Sequence, residues 1–134
     1  AEKADGFVIG TPVYYASANG SLVSLLDRLF SAGNAFAFKP AAAVATARRA
    51  GTTSALEVIN KYFTIRQMPV VSSSYWNMVH GNTPDEVKQD LEGLQIMRNL
   101  GRNMAWLLHC IEAGKQKGIQ LPKNEYSNKT SFIR

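Results

Sequence analysis

Residues 4–30, ADGFVIGTPVYYASANGSLVSLLDRLF, decide the fold of this chain. The run Gly6–Gly10 is short and apolar, and it ends at Thr11 and Pro12. A short apolar run is typical of a parallel strand that is covered by helices on both faces. Proline ends such a strand because it has no N–H for the next ladder hydrogen bond. The stretch therefore predicts a first strand that is buried on both faces.

A helix is expected after this strand. Asn19 or Ser21 can cap its N-terminus, and Gly33 can end it. Apolar side chains recur between these positions at steps of three and four residues, at Leu22, Leu25, Leu26, Leu29 and Phe30. This spacing predicts an amphipathic helix that packs one face on a sheet.

A second strand and a second helix follow. Residues 41–47, AAAVATA, come directly after Pro40 and have small side chains that let helices approach a sheet closely. An alanine run can equally be helical, but the position between two predicted helices favours a strand. The next helix has Leu56, Ile59 and Phe63 on one face and polar residues on the other.

The same alternation continues and indicates the fold class. Pro69 precedes the β-branched pair Val70 and Val71 and the serines 72–74, which predicts a third strand. Alternating strands and helices form right-handed crossovers and a parallel sheet. We expect an open α/β fold with three parallel strands in chain order and helices on both faces. The first strand would be an apolar edge, which sheets normally cover, so we expect the domain to be incomplete at its N-terminus.

The C-terminal part should contain the longest helix and a tail. A helical period runs from the cap Thr83 to about Gly114, behind two acidic residues that suit a helix N-terminus. Residues 115–134 have no steady period, and we expect a tail that wraps the surface, anchored by Leu121 and Phe132. Residues 1–134 then form a single domain.

Composition excludes several classes of protein. The net charge of +5 comes from 15 basic and 10 acidic residues that are scattered along the chain, so no basic stripe for nucleic acid is visible. No apolar run approaches the ~20 residues of a membrane span. The single cysteine, Cys110, cannot form an internal disulfide or a metal-binding cluster. We expect a cytoplasmic protein without a metal site.

Three loops should meet where ligands bind, at the carboxyl ends of the strands. We call residues 11–20 the first loop, 46–53 the second loop and 75–82 the third loop. The first offers backbone N–H groups and two tyrosines to a flat ligand, although Tyr14 and Tyr15 could instead pack on the next helix.

The other two loops carry charge and aromatic groups. Arg48 and Arg49 could hold an anion or could be plain surface cations. Trp76 and His80 bring an indole and an imidazole to the same edge, although each could be structural. No serine or cysteine stands in a nucleophile turn, and the histidines lack metal-ligand spacing, so no catalytic side chain is assigned.

As a set, these residues resemble the NAD(P)H-dependent FMN reductase branch of the flavodoxin-like superfamily. Besides residues 4–30, the chain shows K-P-A-A at 39–42 and D-L-E-G through M-R-N-L-G at 90–101. Similar proteins carry such motifs on the third strand, the fourth strand and the last helix. We expect the family's serine- and threonine-rich phosphate loop to be absent from this chain, and the family's glycine-rich second loop reads TARRAGT here.

The resemblance implies FMN as cofactor and NAD(P)H as hydride donor. By this likeness, the isoalloxazine ring lies against Pro12, Val13, Tyr14, Tyr15 and Ser17 on one side and Thr46, Ala47, Arg48, Arg49 and Gly51 on the other. Thr11 and Trp76 complete the expected cofactor-binding residues. Relatives with an added cysteine cluster bind iron–sulfur centres, but Cys110 stands alone, so no such centre is expected.

The function expected from the resemblance is hydride transfer from NAD(P)H through FMN to a quinone, a flavin or another small acceptor. One alternative is a non-catalytic electron carrier, although the acidic surface expected of a carrier is missing. A second alternative is a truncated fragment that binds no flavin. Relatives self-associate, so a homodimer or higher homo-oligomer is expected, with Trp76 and Met78 as apolar anchors.

Overall fold

The fold is a mixed sheet with helices on both faces, seen in a computed structural model that describes residues 1, 3–32 and 35–133. In chain order, the elements are β1 (Phe7–Tyr14), β2 (Ser17–Ala18), α1 (Gly20–Ala32), β3 (Ala41–Ala47), α2 (Thr52–Ile65), β4 (Met78–His80), α3 (Pro84–Gln89) and α4 (Leu91–Gln116). The strand order in the sheet is β2-β1-β3-β4.

Three of the strands are parallel and follow chain order. β1 pairs with β3 from Phe7 opposite Ala41 to Pro12 opposite Thr46. β3 pairs with β4 in the same direction, with Ala47 opposite His80. The predicted open α/β sheet is therefore confirmed. The sequence analysis did not predict the short strand β2, which forms an antiparallel hairpin with the end of β1.

The third strand was predicted in the wrong place. Val70 forms only an isolated bridge with Ala41, and Val71 donates one backbone hydrogen bond to the Ala41 carbonyl. The chain then leaves the sheet, and the ladder resumes at β4. The side chain of Asn77 fills part of the gap, because its Nδ2 donates to the Ala43 carbonyl at 3.0 Å.

The predicted helix starts are correct, but one helix is divided. Asn19 caps α1, since its Oδ1 accepts the Leu22 N–H at 3.1 Å. Thr83 caps α3 in the same way. The single helix expected from Thr83 to Gly114 is broken at Asp90, whose backbone leaves helical geometry and whose carboxylate caps α4. The predicted end of α1, Gly33, lies outside the described residues.

Two apolar clusters hold the helices on the sheet. The first lies under α1 and α2 and is built from Leu26, Phe30, Phe36, Ala41, Ala43, Ala45, Ile59 and Phe63, among others. The second lies under α4 and contains Ala42, Val71, Leu100 and Met104. The alanines of β3 thus contribute to both clusters, one on each face of the sheet. Their small side chains let helices approach this strand closely.

β1 is buried on one face, not on both as predicted. Phe7, Ile9 and Val13 pack against the first cluster, whereas Val8, Gly10 and Pro12 on the other face are exposed. The reason is that α4 covers β3, and within the described residues no side chain of β1 belongs to the cluster under α4. The apolar composition of β1 therefore exceeds what this sheet buries.

The C-terminal segment is irregular. α4 continues to Gln116, two residues beyond the expected end, and residues 117–133 are exposed throughout. The expected anchors Leu121 and Phe132 are 65% and 91% exposed, so neither side chain is buried. Among the described helices, none is both long enough and apolar enough to cross a membrane.

Candidate functional site

The first and second loops touch each other at the carboxyl edge of the sheet. Gly51 has a φ of 91°, a left-handed conformation that favours glycine. A Cβ atom at this position would lie 2.7 Å from the Cα of Ala16 and 2.9 Å from a methyl carbon of Val13. Only a residue without a side chain allows this approach, so Gly51 sets the spacing between the two loops.

The tip of the first loop is a tight turn with unfavourable residues. Tyr15 and Ala16 have φ values of 49° and 55°, the signs of a type I′ hairpin turn, in which Asn-Gly is preferred. Non-glycine residues in this conformation carry strain, which is common at ligand sites. Tyr14 is 56% exposed and Tyr15 is 105% exposed. Both side chains are therefore available to a ligand, and neither is buried on the next helix.

Thr11 has a structural role in the first loop. It is buried, its hydroxyl donates to the Pro12 carbonyl at 2.8 Å, and the same oxygen accepts the Asn19 N–H at 2.9 Å. The second of these bonds ties β1 to Asn19, the residue that caps α1. Ser17, which was also predicted to bind the cofactor, lies in β2 and pairs with Tyr14.

The second loop carries uncompensated positive charge. Arg48 and Arg49 are exposed, and neither guanidinium forms an ion pair or hydrogen bond with any described residue. The helix that follows has Gly51 as its N-cap, without a side-chain cap, and no acidic residue in its first turn. Its free N–H groups add partial positive charge to the same loop. Thr46, opposite Pro12 in the sheet, and Ala47 connect this loop to the first.

Asp90 fixes the end of the third loop, and the sequence analysis did not identify it. Its Oδ2 accepts the backbone N–H of His80 at 2.7 Å, and its Oδ1 accepts that of Gly93 at 2.9 Å. These two backbone donors, His80 first, lower the pKa of the Asp90 carboxyl below its usual value, and the nearby His80 side chain adds to the effect. The signal that could have found it is an Asp directly before the helix that starts at Leu91, since Asp is a preferred N-cap residue.

Trp76 lies in different surroundings from most of the first and second loops. It is 59% exposed and forms an edge-to-face pair with Tyr75, with ring centroids 4.9 Å apart. It lines a cavity between α2 and residues 70–77, and among the described residues none from 11–17 or 46–51 lines that cavity. The structure thus brings the first two loops together, and Trp76 lines a neighbouring cavity that the second loop reaches only at its last residue, Thr53.

The arrangement of the first two loops fits a flat, electron-accepting ring. Exposed tyrosines offer an apolar wall, while the second loop offers N–H groups and guanidinium charge to anionic or carbonyl oxygens. The 134 residues contain one cysteine, which is exposed, and within the described ranges no three metal-ligating side chains cluster.

Comparison with known proteins agrees with this fit. Residues 1–83, more than half of the chain, match the family model described as NADPH-dependent FMN reductase. An iron-sulfur flavoprotein of Methanocaldococcus jannaschii is 30% identical over 120 residues, which cover 83% of this chain and 62% of the relative. A second iron-sulfur flavoprotein of the same organism is 33% identical over 110 residues, which cover 71% of this chain and 54% of the relative. The chain therefore spans less than two thirds of either relative.

A solved structure supports the fold independently. The WrbA-like flavodoxin of Agrobacterium tumefaciens superposes with a TM-score of 0.54 at 13% identity, over 76% of this chain and 69% of that one. The names of the curated relatives include an iron–sulfur centre, for which four thiolates are the usual ligands. One cysteine in this chain does not fit such a centre. The fold is flavodoxin-like, and the chain belongs to the NADPH-dependent FMN reductase family.

Proposed function

We propose that the protein is a flavin-dependent oxidoreductase that binds FMN between the first and second loops. The observation that carries this proposal is the close approach of Gly51 to Ala16, which joins an exposed aromatic hairpin to a positively charged loop. In this proposal, the isoalloxazine ring is contacted by Pro12, Val13, Tyr14, Tyr15, Ser17, Thr46, Ala47, Arg48, Arg49 and Gly51.

Each loop would make a different contribution. Tyr14 and Tyr15 would cover the ring and keep water from it, and their strained turn would hold them in place. The N–H groups at the start of α2, with Arg48 and Arg49, would stabilise negative charge on the ring's oxygen edge. These residues bind and orient, and none needs to act as an acid or base.

When bound, FMN supplies hydride chemistry between a reduced nicotinamide and an acceptor. We propose NAD(P)H as the donor, in line with the family description. The acceptor would be a small molecule such as a quinone or another flavin. The carboxyl edge of the sheet is exposed at Tyr15 and Arg49, so donor and acceptor could reach the ring in turn.

Anaerobic titration of the FMN-loaded protein with NADPH, followed by visible absorption, tests this function. We expect the flavin absorption to bleach and then to return when a quinone is added. Bound flavin that NADPH does not bleach, but that a one-electron reductant does, would identify an electron carrier. Failure to bind FMN would contradict the proposal entirely.

A further inference from the structure

The cavity behind Trp76 forms where the chain leaves the sheet. Between the Val70 bridge and β4, residues 72–77 bulge outward, and Asn77 spans the gap. Its Nδ2 donates to the backbone carbonyls of Ala43 at 3.0 Å and Val71 at 3.4 Å, and the backbone carbonyl of Asn77 accepts the Ala45 N–H at 2.9 Å. The bulge is therefore held open by a buried side chain.

The space enclosed between the bulge and α2 has a volume of about 240 Å³. Its inner wall is apolar, formed by side chains such as Leu56 and Val71, which are 6% and 5% exposed. Its mouth is flanked by Tyr75 and Trp76, which are more than half exposed. A cavity of this size, with an apolar wall and an aromatic rim, suits one flat ring.

The buried polar atoms of the cavity that lack a partner are acceptors. Asn60 and Asn77 both line it, and the Oδ1 atoms of both are buried without a hydrogen-bond donor in the described part of the chain. Asn77 as a whole is only 9% exposed. Glu57 also lines the cavity, and no described Lys, Arg or His does. Buried acceptors without donors are unfavourable, so a ligand that brings N–H groups is favoured over one that brings oxygens.

We propose that this cavity is a second ligand site, for a small aromatic ring that carries N–H donors and is neutral or cationic. Trp76 and Tyr75 would contact the ring, and the amide oxygens of Asn60 and Asn77 would accept its N–H groups. Glu57 would favour a cation and exclude an anion. In this proposal, Trp76 belongs to the second site and not to the flavin site.

Three probes of equal shape test the site: benzamidine, which is a cationic donor, benzamide, which is a neutral donor, and benzoate, which is an anion without donors. Binding to the full chain is measured from amide and indole shifts in ¹H–¹⁵N NMR spectra. We expect benzamidine and benzamide to shift the signals of Asn60 and of the Trp76 indole, and benzoate to bind at least about tenfold more weakly. Equal binding of benzoate, or no binding of any probe, would overturn the proposal.

Two variants locate the binding. Asn60→Leu removes one acceptor from a partly buried position on α2, and Trp76→Ala removes the aromatic rim. Each should weaken benzamidine binding by about fivefold to tenfold and leave FMN affinity unchanged. Tyr15→Ala, at the hairpin tip, should leave benzamidine binding unchanged. Unaltered benzamidine binding in both cavity variants would place its site elsewhere and refute the assignment.

Discussion

Replacing Gly51 with alanine tests whether the two loops are held together by direct backbone contact. The added Cβ would meet the Cα of Ala16 at 2.7 Å, a distance that real Cβ contacts do not show, and the contact atom is backbone and cannot rotate away. Alanine at a φ of 91° also carries the cost of a left-handed conformation, about 1–2 kcal/mol. Overpacking typically adds about 1–3 kcal/mol.

We therefore expect Gly51→Ala to lower the free energy of unfolding by roughly 3 kcal/mol, measured by urea denaturation followed by circular dichroism. The matched control is Gly101→Ala in α4, where a Cβ would meet nothing within 4 Å. This control should raise stability, by about 1 kcal/mol, because alanine is the better helix former. Equal stability of Gly51→Ala and wild type would refute the loop contact on which the proposed site rests.

Three further predictions concern other parts of the molecule. Asp90→Ala should cost about 1 kcal/mol at neutral pH through loss of the α4 cap. Because the pKa of Asp90 is lowered, its contribution is complete above its unfolded pKa of about 3.9 and is lost as the pH falls further; acid titration of stability should show a smaller loss in the variant. The Tyr62 hydroxyl donates to Asp27, and burial, followed by this bond, raises the pKa of Tyr62 to about 12. Its contribution should therefore be complete below pH ~10 and be lost as the pH rises towards 12, and Tyr62→Phe should remove this alkaline loss in denaturation curves. If Trp76 and Met78 anchor a homo-oligomer, wild type should sediment as more than a monomer at micromolar concentration and Trp76→Ala should dissociate; a monomeric wild type would contradict self-association.

Local sequence signals predicted the elements that depend on local chemistry. The apolar run Gly6–Gly10 marks the start of β1, but the predicted end at Pro12 was wrong, because the strand continues through Pro12 to Tyr14. The short polar side chains of Asn19 and Thr83 mark two helix starts, because a side-chain oxygen can satisfy a free N–H there. The alanine run of β3 could by itself have been a helix or a strand, and its position between two predicted helices favoured a strand. These signals were sufficient for the order and direction of the parallel strands.

The features that the sequence did not predict depend on distant partners. The residues around Asn77 do not indicate that its side chain replaces hydrogen bonds of the β3 ladder. Val70 and Val71 were therefore predicted to form the third strand. The role of Asp90 in fixing the third loop depends on the backbone N–H of His80, ten residues away, which donates to the Asp90 carboxylate. The exposed face of β1 depends on where α4 packs.

The candidate site was predictable in part, for the same reason. The sequence predicted that the first and second loops meet at one edge of the sheet, because both follow the carboxyl ends of parallel strands. The Tyr15-Ala16 turn was not predicted, since neither residue is favoured in a type I′ turn, and the contact with Gly51 is visible only in three dimensions.

The measurement that tests the central claim most directly is an FMN titration of wild type, Tyr14→Ala and Tyr15→Ala, followed by quenching of flavin fluorescence. Aromatic contacts of this kind are worth roughly 0.5–1.5 kcal/mol beyond burial, so each variant should bind FMN up to about tenfold more weakly. Tyr126→Ala, an exposed tyrosine of the C-terminal segment, is the matched control and should bind like wild type. Identical FMN affinities in all four proteins would mean that the flavin ring does not lie against the first loop.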